Sequence, residues 1–231
     1  SGNVEGLSRR FLIPSGWARS KREDRPVGPD GGPLPWFTYG AIEFLNRVVM
    51  PSDCVFEYGA GYSTLWWQDR TGEVTSVDHD SFWCDELEPQ LKPNVCLTHV
   101  PEKSHVPERA APWLDRFFER ARRTSWPEYD EARVIRRGLE DEAFMAYAAF
   151  ILEGGSSFDY VVIDGMARWL CAEFAVDCVK EGGMIIMDNT NRRDYDAAYD
   201  VLEKNGFYQV PFWGLVPGAD FMTCTSVFVK K

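Results

Sequence analysis

The first residues able to do chemistry are Glu57, Gly59 and Gly61, spaced as acid-x-Gly-x-Gly, with Asp78 further along. Glycines without side chains let the backbone of a strand-to-helix turn press against a ligand. An aspartate ending the next strand is placed to accept both hydroxyls of a ribose. Together these signals specify a nucleoside-containing ligand rather than a particular reaction. A dinucleotide is disfavoured: the G-x-G-x-x-G pattern requires glycine at position 64, where Thr64 stands. A second polar set, Asp164, Arg168, Asp188 and Asn189, follows two apolar runs.

These residues fall where strands should end. Residues 54–58 read as a first strand, and 73–77 as a second that delivers Asp78; a third covers 95–100. The run 158–165 is nearly continuous in apolar residues, as in a buried parallel strand, and 184–187 stops at Asp188 and Asn189. Helical spacing of Ala41, Ile42, Leu45, Val48 and Val49 predicts a leading helix from an N-cap at Thr38 to Pro51. Ser63 or Thr64 can cap the next helix. Further helices are predicted over 83–91, 167–180 and 194–205, the last closed by Gly206, and 207–212 with 226–229 read as closing strands.

Strand and helix in alternation imply a doubly wound α/β sheet, because crossover helices must cover both faces. Ligands then bind at the carboxyl ends of the strands. Two segments lie outside the alternation. Residues 1–35 form an arm in which the run Gly-Pro-Asp-Gly-Gly-Pro at 28–33 disfavours any regular element. Residues 101–157 form a helical insertion, read either as a solvated cover or as a lid. Trp36, Phe37 and Tyr39 read either as a hydrophobic staple that holds the arm or as a wall for the cofactor or an aromatic substrate.

Composition narrows the partners. The chain has 231 residues, 45% of them hydrophobic, enough for one large core. A net charge of −11 argues against nucleic acid, whose affinity comes largely from Lys and Arg. No apolar stretch approaches the roughly 20 residues that span a bilayer, and the first ten residues lack the apolar core of a secretion signal. A cytoplasmic protein with a small-molecule partner is the expectation, with a homo-oligomer left open. The six cysteines are scattered and read as reduced core residues, while His79, His99 and His105 do not supply a zinc site.

The acid-x-Gly-x-Gly turn followed by Asp78 resembles the first motifs of class I S-adenosylmethionine-dependent methyltransferases, and residues 158–165, 182–189 and the terminal strand pair resemble their later motifs. The resemblance runs from roughly residue 36 to 229, with the insertion unmatched. It implies a Rossmann-like seven-stranded sheet closed by an antiparallel hairpin, with S-adenosylmethionine as cofactor. It further implies that Gly59 and Gly61 touch the methionyl part, with Ser63 beside them. Glu57 would orient the loop or the cofactor's amino group, Asp78 would bind the ribose and His79 would lie beside the adenine. Asp164 would border the same site.

Asp164, Asp188 and Asn189 are similar to the Mg²⁺ ligands of the catechol O-methyltransferase-like branch. A hard cation takes oxygen ligands and can acidify a substrate hydroxyl. That branch's lysine would fall at Ala167, so its usual base is missing. Arg168, permanently charged and a poor base, is assigned to a carboxylate or phosphate of the substrate. Asp164, Asp188 and Arg168 thus form the expected catalytic set. The implied reaction is methyl transfer to a small molecule, at oxygen; aminopropyl transfer or a non-catalytic partner subunit are the alternatives on the same fold.

Overall fold

The computed structural model describes residues 6–106, 108, 142–154 and 157–231. Seven strands form one sheet: β1 (Cys54–Tyr58), β2 (Glu73–Asp78), β3 (Val95–His99), β4 (Phe158–Ile163), β5 (Val179–Met187), β6 (Phe207–Leu215) and β7 (Met222–Lys230). Their order is β3-β2-β1-β4-β5-β7-β6. The first five are parallel, and β7 lies antiparallel between β5 and β6. The chain winds outward from β1 to β3 and then returns to place β4 against β1, so a crevice opens above β1 and β4.

Helices cover both faces: α1 (Trp17–Glu23), α2 (Tyr39–Val48), α3 (Tyr62–Trp67), α4 (Ser81–Leu87), α5 (Met145–Ala149), α6 (Arg168–Ala175) and α7 (Asp196–Lys204). Successive strand residues point to opposite faces. Val55 and Val162 therefore pack with Leu45, Trp66 and Trp67 under α2 and α3. Phe56 and Val161 pack with Tyr147, Leu170 and Phe174 under α5 and α6. Burial on both faces is why these strands read as continuous apolar runs. Among the described residues no helix is long and apolar enough to cross a membrane.

Several boundaries differ from expectation. Helix α6 stops at Ala175 and β5 begins at Val179, because Gly182 and Gly183 form an irregularity within the strand rather than a turn before it. Pairing jumps there from Phe158↔Val179 to Tyr160↔Met184. A Cβ on Gly183 would lie 2.9 Å from the Asp159 carbonyl oxygen, so the kink needs glycine. The closing hairpin is longer than predicted, with pairing out to Leu215↔Met222.

The arm carries helix α1, and even the glycine- and proline-rich loop is folded: Gly28 N–H donates to Gly32 O and Val27 bridges Pro33. Of the expected insertion, Met145 to Ala149 and Ile151 are core residues beneath the sheet, and His105 is exposed. Residues 109–141, on which the cover and lid readings mainly rest, lie outside the described residues.

Candidate functional site

The glycine turn is stitched to its neighbours through backbone. Gly59 has φ +92°, in the region that favours glycine. A Cβ there would lie 2.7 Å from the Gly165 nitrogen, so the turns after β1 and β4 touch main chain to main chain. Gly59 N–H donates to Val77 O at 2.9 Å, and Asp164 N–H to Tyr58 O at 3.0 Å. A Cβ on Gly165 would collide with the Tyr147 hydroxyl. Gly61 is different: its φ of 176° is extended backbone, and nothing lies within 4 Å of where its Cβ would be. Glycine at 59 closes the turn, whereas glycine at 61 leaves room.

Gly61, not Ser63 or Thr64, is the N-cap of α3; both expected caps lie inside the helix and are buried. Thr64, where a dinucleotide site would carry its third glycine, braces the turn. Its hydroxyl accepts Gly61 N–H at 3.0 Å and donates to Glu57 Oε2. Ser76 donates to the same Glu57 oxygen at 2.7 Å. Glu57 is fully buried, and its other oxygen, Oε1, has no partner. Burial pushes this carboxyl up to about 7, against the lowering effect of the surrounding hydroxyls, and Asp164 adds to the rise. An unpartnered buried acceptor beside a roomy glycine turn suits an ammonium donor, so these residues fit an aminoacyl-bearing nucleoside.

Asp78 does not stand open at its strand end as the sequence led us to expect. It is buried, Oδ2 accepts Ala60 N–H at 2.8 Å and Oδ1 accepts Asp80 N–H at 2.8 Å. The carboxylate ties the glycine turn to the turn after β2, and only its remaining lone pairs are left for ribose hydroxyls. His79 packs edge-on against Phe144 and Tyr147, with ring centroids 5.4 and 6.2 Å away, and its Nδ1 lies 3.2 Å from Asp78 Oδ1. The aromatic wall beside His79 comes from α5 and the residue before it, a contribution not foreseen from sequence.

Arg168 requires a correction. Its guanidinium is buried and four of its five N–H groups already have partners within the fold, which leaves it poorly placed to receive a substrate anion. Nε donates to Gly165 O at 3.1 Å, Nη1 to Asp188 O at 2.6 Å and Nη2 to Asp164 O at 3.1 Å. Nη2 also pairs with Asp164 Oδ1 at 2.9 Å, and the plane lies 5.1 Å from the Tyr195 ring centre. Three carbonyls at the ends of β4 and β5 are thus held by one side chain. The preceding Ala167, at φ +45°, turns α6 so that Arg168 reaches back beneath the crevice.

Asp188 is buried; Oδ1 accepts the Thr225 hydroxyl and Oδ2 the Asn189 amide N–H, both at 2.5 Å. Burial and the nearby Asp164 push Asp188 up to about 7. Asp164 is also raised, chiefly by burial and against the pull of Arg168. This donor set does not fit Mg²⁺. Both Asp188 oxygens and one Asp164 oxygen already accept hydrogen bonds, Asn189 turns its N–H toward the carboxylate, and a guanidinium stands where a cation's field would act. Among the described residues no group of three or more His, Cys, Asp or Glu is arranged to hold a metal ion.

Asp164, Asp188 and Asn189 instead form the floor of a cavity of about 520 Å³. Its walls are residues of α1 with Trp36, and Val216 to Ala219 with Phe221; apart from Trp36 these were not read from the sequence. The walls are joined by Trp17 Nε1 donating to Ala219 O at 2.6 Å and Trp36 Nε1 to Pro217 O at 3.1 Å. Of the two readings for these aromatics, Trp36 follows the wall and lines the cavity, while Phe37 is fully buried under α2. Trp17 in the polar, glycine-rich arm and Trp36 just after it were the available signal, but their partners lie near the far end of the chain.

No family model matches the chain, and neither does any curated protein. Solved structures do. A methyltransferase-like protein from Silicibacter pomeroyi DSS-3 superposes with a TM-score of 0.50 at 17% identity, covering 85% of this chain and 89% of its own. Precorrin-6y C5,15-methyltransferase from Geobacter metallireducens GS-15 gives 0.49 at 13%, covering 83% and 86%. An rRNA methylase from Streptococcus thermophilus gives 0.46 at 11%, covering 84% and 95%. A shared architecture hosts many acceptors, so likeness at this level leaves the acceptor to the site itself. The chain has the seven-stranded, Rossmann-like methyltransferase fold, closed by its antiparallel hairpin.

Proposed function

We propose that the chain is an S-adenosylmethionine-dependent methyltransferase acting on a small molecule through an oxygen nucleophile, in the cytoplasm. The observation that carries this reading is the contact between the Gly59 turn and the Asp164–Gly165 turn. It sets a glycine-lined crevice directly beside the cavity whose floor is Asp164 and Asp188. Glu57, Gly59, Gly61 and Ser63 would hold the methionyl part, Glu57 Oε1 accepting from its ammonium; Asp78 would hold the ribose and His79 would flank the adenine. When bound, the cofactor supplies an electrophilic methyl group on a sulfonium.

The protein's own task is then alignment and proton management. Arg168 fixes the ends of β4 and β5, which keeps Asp164 and Asp188 at a constant distance from the Gly59 turn. An acceptor hydroxyl in the cavity would meet the Asp164 and Asp188 side chains, the nearest groups to take its proton. No metal enters this scheme. Six free thiols suit the reducing compartment proposed, and the acidic net charge of −11 supports a small acceptor over nucleic acid.

The test is calorimetry with S-adenosylmethionine. Gly61→Val fills the room beside the turn, where an added Cβ meets nothing within 4 Å, and should abolish binding while costing the fold no more than the loss of a glycine N-cap, about 1 kcal/mol. Binding unaffected by that substitution would refute the assignment of the crevice.

A further inference from the structure

The cavity has an uneven distribution of charge that bears on its acceptor. Its acids are already engaged. Asp164 is paired with Arg168 at 2.9 Å, and both Asp188 oxygens accept hydrogen bonds. Its two basic lining residues, Lys21 and Arg25, belong to α1 and the turn after it. Lys21 Nζ lies 3.4 Å from Asp220, and these side chains are 52% and 75% exposed. Such an exposed pair is screened by solvent and readily exchanged for another anion. Arg25 Nη2 lies 2.8 Å from Glu23 and its guanidinium also faces the Tyr62 hydroxyl, which joins the rim to the helix after the glycine turn. Asp24 also lines the rim, where Asp220 and Glu23 are the present partners of Lys21 and Arg25.

The walls between rim and floor are apolar: Trp36, Val216, Pro217 and Phe221. Gly218, at φ +75°, brings its turn so close to α1 that a Cβ would lie 3.1 Å from the Lys21 nitrogen, so the rim is fixed in place by backbone packing. The result is a slot with exchangeable positive charge at its mouth, a greasy middle, and hydrogen-bonded acids at its base. A cationic acceptor would meet Lys21 and Arg25 on entry and find both floor carboxylates already hydrogen-bonded, Asp188 through both oxygens and Asp164 through one.

We propose that this cavity takes a small acceptor bearing an anionic group, a carboxylate or a phosphate, held by Lys21 and Arg25 at the rim while its nucleophile rests on the Asp164 and Asp188 floor. The proposal rests on reading the cavity as the acceptor site of the methyltransferase proposed above. It moves anion recognition from Arg168, which is buried with four of its five N–H groups engaged, to the arm.

The experiment is a titration of isotope-labelled full-length protein with inorganic phosphate, acetate and methylammonium in separate arms. Amide resonances are followed at ~150 mM chloride, where the screening length is about 8 Å. We expect saturable shifts with phosphate or acetate at the amides of α1 and residues 216–221. The apparent affinity should weaken at least about tenfold in Lys21→Gln/Arg25→Gln, two surface changes that leave the fold intact. The tighter of the two anions tells a phosphate-bearing acceptor from a carboxylate. Shifts that do not saturate, that persist unchanged in the double variant, or that appear with methylammonium instead would overturn the proposal. S-adenosylhomocysteine affinity measured on the same samples separates the two readings: its absence with the anion response intact would sink the cofactor assignment alone.

Discussion

The two halves of the crevice are built in different ways. On the β1–β2–β4 side the contacts are between main chains: Gly59 against Gly165, Gly59 N–H to Val77 O, Asp164 N–H to Tyr58 O, with buried Asp78 and Thr64 as struts. On the arm side they are single side-chain links, Trp17 to Ala219, Trp36 to Pro217 and Lys21 to Asp220. The close main-chain approach at Gly59 and Gly165 leaves no space for another residue type there, whereas side-chain links can be exchanged. A half that grips one constant ligand and a half that fits a particular acceptor would be expected to differ in this way.

The sharpest break in that contrast should come from Arg168→Met. It leaves the partly buried Asp164 without its partner and three carbonyls without their donor; losing one member of a fully buried pair costs about 3–5 kcal/mol, an upper bound here because the Asp164 side chain is 22% exposed. Thermal denaturation should show a large fall in stability, and an unchanged melting temperature would mean that the guanidinium does not hold the two strand ends. Gly59→Ala comes next. It forces a side chain into φ +92° and onto the neighbouring turn, at a cost of about 1–3 kcal/mol for the backbone alone, read by chemical denaturation.

Glu57→Gln separates stability from binding. The folded chain retains a proton on Glu57 that the unfolded chain releases, since burial raises the group from 4.5 to about 7. This site therefore makes the fold lose stability as pH rises from about 4.5 to about 7 and adds no slope above that. The amide should flatten that part of the profile and raise stability at pH 8, while S-adenosylhomocysteine binding weakens for want of the Oε1 acceptor. A variant with the wild-type pH profile would show that Glu57 is not the titrating group. The smallest effect is expected on the arm side. Trp36→Ala removes one indole hydrogen bond on a side chain 47% exposed, worth about 0.5–1.5 kcal/mol, and should leave S-adenosylhomocysteine affinity within twofold by calorimetry.

Legibility in the sequence followed the same division. The central strands themselves, the glycine turn and the acids at strand ends are local signals: Glu57 to Gly61 and Asp78 announce themselves within a few residues. What stayed hidden depends on partners far along the chain. Nothing near Arg168 says that its donors reach across to Asp188, and nothing near Trp17 points to Ala219. Asp78 was placed correctly at its strand end, but its burial could not be read, because the amides it accepts from belong to turns whose geometry is set by tertiary packing. Residues 207–215 and 222–230 carry glycine, proline and polar residues that blur a strand's alternation, so the hairpin read short.

The most direct measurement is a crystal structure with S-adenosylhomocysteine bound. We expect the ammonium on Glu57 Oε1, the sugar at the Asp78 end of β2 and the sulfur turned toward the cavity floor at Asp164. A nucleoside lodged in the arm-side cavity, or a Glu57 oxygen still without a partner in the bound state, would contradict the account.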